Sequence, residues 1–152
     1  MKTALVAKKH AGGALIEALV SIVVFTFGVL GLLGLQAVAI KNSSDANYRS
    51  NASYLANQII GQIWVDRTNI DDYAHYPTGA NCNFAGSVSS NGNVTQWITQ
   101  VTSMLPGAAS SRIQIQVIPS VGDTKRVTVT VCWQTPQENT AHNFVITAEI
   151  NQ

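Results

Sequence analysis

Between Ala18 and Ile40 the chain carries no charged residue. As a helix those 23 residues reach about 35 Å at 1.5 Å per residue, enough to cross a bilayer core of about 30 Å. No other feature restricts the fold as tightly, because a run this apolar must be buried in lipid or against other apolar helices. Ser21 and Thr26 are tolerable inside it, since their hydroxyls can bond carbonyls one turn earlier. Gly28, Gly31 and Gly34 recur at every third position. They loosen the helix or admit a close neighbour, or simply follow the frequency of glycine in membrane helices.

The segment before the run is short and basic, MKTALVAKKHAGG. A secretory signal places its apolar core ahead of the cleavage site. Here the small-residue pair Gly12-Gly13 comes first, so cleavage there leaves the apolar run on the mature protein. Lys2, Lys8 and Lys9 favour a cytoplasmic N-terminus, with the rest of the chain outside. With those three lysines set aside, six basic and eight acidic residues remain, a net −2. No basic stripe follows a phosphate backbone, which disfavours nucleic acid as a partner.

Glu17 is the odd residue. It stands at the edge of the apolar run, where an unpaired carboxylate is costly. It is either an interfacial charge or a buried acid that meets a positive partner. The amine released by cleavage at Gly12 lies a few residues away, and a neighbouring subunit's amine could serve equally.

Gly12, four residues, Glu17 and then a long apolar helix resemble the signal of type IV pilins and the related pseudopilins. The basic leader with Lys8-Lys9 fits the same pattern. In that family a membrane aspartyl peptidase cuts after the glycine and methylates the new N-terminal residue. The resemblance therefore implies cleavage between Gly12 and Gly13, methylation of Gly13, and a docking role in filament assembly for Glu17. The stretch FGVLGLLGLQ, Phe27 to Gln36, is most similar to the PilV-type minor pilins, also called type IV pilus modification proteins. The family usually carries Phe after the cut, and this chain has Gly13. Cutting after Gly13 is chemically feasible too, but the count to Glu17 selects Gly12.

Past the membrane segment no Pro or Gly interrupts Gln36 to Ile60, and after Lys41 the pattern turns amphipathic. Ala52, Leu55, Ala56, Ile59, Ile60 and Ile63 recur at three and four, a helical face suited to a sheet. Asn42 through Arg49 are largely polar and belong in solvent. One helix thus spans about Ala14 to Asp66, roughly 80 Å in all.

The remainder reads as a small head. Asp66 to Asn93 is expected as loop, with Asn91-Gly92 as a tight turn and His75 solvated beside Asp71 and Asp72. Val94, Trp97, Ile98, Val101, Met104 and Leu105 give helical spacing from Asn93, the expected cap, to Leu105, where Pro106-Gly107 stops the helix. Three alternating strands follow, at Arg112–Ile118, Arg126–Trp133 and Asn143–Ile150. Their apolar faces would cover the Ala52–Ile63 stripe as an antiparallel meander. Cys82 falls in the loop and Cys132 on a polar strand face. In an exported domain two such cysteines join more readily than they remain unrelated thiols.

The expected organisation is a leader at 1–12, a transmembrane half-helix at 13–40, an amphipathic half at 41–66 and a head at 67–152. The fold class is α+β and pilin-like, a long N-terminal helix packed on a small antiparallel sheet. No zinc, calcium or nucleotide motif is present, and no base is placed to activate a serine, so neither catalysis nor a cofactor or metal is expected. The resemblance implies an inner-membrane subunit with its head in the periplasm, displayed at the pilus tip after assembly. Its partners would be the prepilin peptidase, the major pilin, other minor pilins and a tip adhesin. The anchor chemistry fits a minor pseudopilin of type II secretion as well. A lone membrane-anchored binding protein or enzyme would instead need an organised ligand pocket.

Overall fold

A computed structural model describes residues 11–136 and 138–151. They form two compact units, Met1–Ser44 and Asp45–Gln152, and helix α1 (Ala11–Val65) belongs to both. Every described side chain from Gly13 to Ser44 is exposed.

The second unit is built around the C-terminal part of α1. Ala52, Leu55, Ala56, Ile59 and Ile63 are fully buried, and the expected stripe is the floor of the core. Above it lies a three-stranded antiparallel sheet of β3 (Ile113–Pro119), β4 (Thr124–Trp133) and β5 (His142–Asn151), in that order. β-Branched residues at alternate positions suit a half-buried strand, since they fill the pleat on one side only. Val127, Val129 and Val131 of β4 therefore face the core together, opposite Val117, Ile115 and Ile113 on β3. Ser120 N–H donates to the Thr124 carbonyl at 2.8 Å to close the β3–β4 turn, and Gly122 supplies the positive φ of 66°. This helix-on-sheet arrangement is pilin-like.

Helix α2 (Gly92–Met104) seals one end of the core with Val94, Trp97 and Val101. It starts earlier than the spacing suggested. Asn91, not Asn93, is the cap, and its side chain accepts from the Asn93 amide at 2.9 Å. Asn91-Gly92 is thus a helix start rather than a hairpin turn, because an extended Asn ahead of an apolar periodic run satisfies an otherwise orphan N–H. Trp97 is buried to 1% exposure, and its indole N–H donates to the Leu55 carbonyl at 2.8 Å, pinning α2 to α1.

The stretch expected to be loop is ordered. A 3-10 segment, Arg67–Tyr73, buries Ile70 and Tyr73 three residues apart. A short hairpin follows, β1 (Thr78–Ala80) and β2 (Asn83–Ala85). Its turn residues Asn81 and Cys82 both have positive φ, 54° and 61°. Those angles match the twist of a two-residue hairpin.

Candidate functional site

The amino-terminal part of α1 carries the features assigned to anchoring and assembly. The Gly12–Gly13 bond lies in its first turn, and residues 1–10, with Lys8 and Lys9, fall outside the described residues. Each glycine costs a helix roughly 1 kcal/mol relative to alanine, which makes this first turn a weak one. One turn on, Glu17 is exposed, with only apolar or small neighbours within four positions on either side along Gly13–Ser21. Ser21 Oγ donates to the Glu17 carbonyl and Thr26 Oγ to the Ile22 carbonyl, each at 2.7 Å, so both hydroxyls are satisfied within the helix.

Around the acid the surface is apolar on every side. Leu15, Phe25, Phe27 and Leu35 are each about 70% exposed, and twelve further large apolar side chains between Ile16 and Ile40 are open. Burying an aliphatic or aromatic side chain stabilises by about 1.5–3 kcal/mol, so covering this surface is worth a few tens of kcal/mol. A Cβ added at Gly28, Gly31 or Gly34 would meet nothing within 4 Å. The helix is long and apolar enough to cross a membrane and is consistent with a membrane anchor.

The second candidate feature is a clamp on the outer face of the head's sheet. Cys82 and Cys132 form a disulfide, with Cα atoms 5.8 Å apart. Cys132 is fully buried on a strand face expected to be polar and open. That face is covered because the hairpin lies on it. Gln114 Nε2 donates to the Tyr76 and Thr78 carbonyls at 3.0 and 3.3 Å, and Gln116 Nε2 to the Pro77 carbonyl at 3.0 Å. These amides meet backbone acceptors that would otherwise be stranded.

His75 completes the clamp and corrects the expectation of a solvated loop histidine. It has no exposed surface. Its backbone N–H and carbonyl exchange 2.9 Å hydrogen bonds with Ile115 of β3. Nδ1 accepts from the Ser89 amide at 3.3 Å, and Nε2 lies 3.2 Å from the Ser110 carbonyl. With Nδ1 accepting, the ring is neutral and Nε2 carries the proton, donating to Ser110. Burial pushes the His75 pKa below the ordinary 6.5, and the Ser110 carbonyl opposes this in part. Asp71, its sequence neighbour, pairs with Lys125, and Ser89 Oγ donates to the Asp72 carbonyl at 2.6 Å. Among the described residues no group of three His, Cys, Asp or Glu side chains converges.

The structure thus places Gly12, Gly13 and Glu17 together on one exposed apolar helix, and Cys82, Cys132 and His75 together on the head. Sequence reasoning missed His75. Its only signal was a place between Tyr73 and Tyr76, in a short run with buried aromatic character. The chain matches no known family's sequence pattern, no curated protein and no solved structure. The pilin-like architecture stands on the fold itself.

Proposed function

We propose that the chain is a minor pilin of a type IV pilus, of the PilV type. It is made with a leader, cut between Gly12 and Gly13, methylated on Gly13, and held in the inner membrane with its head in the periplasm. Together with other minor pilins it primes assembly and takes a place in the tip complex, where it helps seat an adhesin and supports adhesion and twitching motility. The observation that carries this reading is one carboxylate, Glu17, on a Gly13–Ile40 stretch of α1 that is exposed and otherwise uncharged, ahead of a disulfide-stapled head. A carboxylate in hydrocarbon costs several kcal/mol unless it is paired. The amine of a neighbouring processed subunit is a partner of the right charge at the right depth.

The test is in two parts. Intact-mass measurement of protein from native membranes should give a chain starting at Gly13 with one methyl group, and retention of Met1 would overturn the processing. Glu17→Ala should leave processing intact and lower incorporation into surface pili, whereas unchanged incorporation would remove Glu17's assembly role. Mild crosslinking in membranes then separates pilus subunits from secretion subunits as neighbours. Capture of the latter would move the chain to the pseudopilins of type II secretion.

A further inference from the structure

The two edges of the head's sheet differ, because one carries a backbone bridge at mid-strand and the other does not. On β3 the chain supplies its own cover, since His75 exchanges both backbone hydrogen bonds with Ile115. On β5 nothing equivalent is present among the described residues, and β5 is the terminal strand of the sheet.

We infer that the free edge of β5 is a strand-addition site for an extended, uncharged segment of a different polypeptide whose alternate residues are apolar. Three observations specify that occupant. First, the edge is main chain. β5 runs ten residues paired one-for-one with β4 from Asn151 to His142, with no bulge. Every second residue of an antiparallel edge strand turns its N–H and C=O outward, and only another strand matches that row. Second, the core thins along most of β5, although Ile150 near the end of the strand is fully buried. Val127, Val129 and Val131 on β4 have no exposed surface, but their β5 partners Ala148, Ile146 and Phe144 are only half-buried. An added strand with apolar residues at alternate positions would finish that layer. Third, the edge is electrically quiet. Glu149 is held by Arg126 at 2.7 Å and His142 by Glu138, so a charged segment would find no free partner charge there.

Long flat edges are normally blunted by proline, lysine or a bulge. β5 has none of these, although it is longer than the usual strand of about five or six residues. A second copy is the weaker occupant. Its β3 edge is bridged by His75 at mid-strand, so the edge it best offers is its own β5, and a two-fold pair through β5 closes at two copies. Such a pair cannot extend through an assembly whose anchored chains all run the same way, a step that rests on the pilin reading above.

The test uses the full chain in detergent micelles and a capped peptide alternating threonine with valine and isoleucine. Amide hydrogen exchange is followed residue by residue. Alternate β5 amides should exchange fast in the free protein and at least tenfold more slowly with peptide. The same peptide with a central proline should give no slowing, and Ala148→Lys, an inward charge on the edge, should abolish the effect. If Ala148→Lys fails to fold, Val145→Lys on the exposed face replaces it. The inference is overturned if the peptide protects no β5 amide. It is also overturned if those amides are already protected in a sedimenting dimer that Ala148→Lys dissociates. None of these readouts depends on pili, so their failure and that of the functional proposal are separable.

Discussion

Replacing both cysteines, Cys82→Ala with Cys132→Ala, should destabilise the head by about 3 kcal/mol. The crosslink spans a sequence separation of 50 residues, and closing a loop of that length removes about 4 kcal/mol of unfolded-chain entropy in the simple model. Part of that is returned. Cys82 sits at φ 61°, a left-handed conformation that costs a non-glycine residue about 1–2 kcal/mol, and without the crosslink the hairpin can relax. For a head of this size each kcal/mol moves Tm by about 4–8 °C, so the melting midpoint should fall by roughly 12–24 °C. The assay is thermal unfolding of the full chain in detergent by near-UV circular dichroism, with wild type and double variant in parallel. Hydrogen exchange adds the order of events. The hairpin over Thr78–Ala85 should lose protection before the β4–β5 ladder, because without the crosslink only noncovalent contacts such as those of Gln114, Gln116 and His75 hold it to the sheet. A Tm change under about 3 °C, or loss of the β4–β5 ladder first, would refute the idea that the crosslink fastens the hairpin to the sheet.

Acid should weaken the head through His75. Its folded pKa lies below the unfolded 6.5, so the unfolded chain binds the extra proton first. Stability is therefore complete above about pH 6.5 and falls as pH drops from there toward the folded pKa, below which the loss levels off. Denaturant midpoints between pH 7.5 and 5.5 should decline less in His75→Gln than in wild type, and parallel curves would remove His75 as the cause. Asn91→Ala should cost about 1 kcal/mol by orphaning the Asn93 amide at the α2 cap, read as a Tm drop of roughly 4–8 °C. Trp97→Phe should cost a similar amount by removing the indole donor to the buried Leu55 carbonyl. Equal stability in that variant would mean the carbonyl keeps a sufficient bond within α1.

What could be read from the sequence was whatever periodicity encodes. The Ala52–Ile63 stripe and the alternation in β3, β4 and β5 each follow from side chains that must share one face, so their positions come out within a residue or two. The Arg67–Asn91 stretch has no period, because its order comes from single contacts made across the chain. Gln114 and Gln116 look like solvent-facing polar residues of a half-buried strand, and their alternation is the same whether water or a carbonyl accepts from them. Only the hairpin's position decides. His75 shows the same limit more sharply. A histidine beside two aspartates reads as a wet surface cluster, yet Asp71 turns to Lys125 while the imidazole is drawn under Ser89 and Ser110. The backbone exchange with Ile115 fixes that inward turn, and it joins residues 40 positions apart. The same bridge occupies the middle of the β3 edge, and β5, with no such bridge among the described residues, is the side of the sheet where chemistry invites another chain. A local rule can place a strand. Whether its edge is already taken is a property of the whole head.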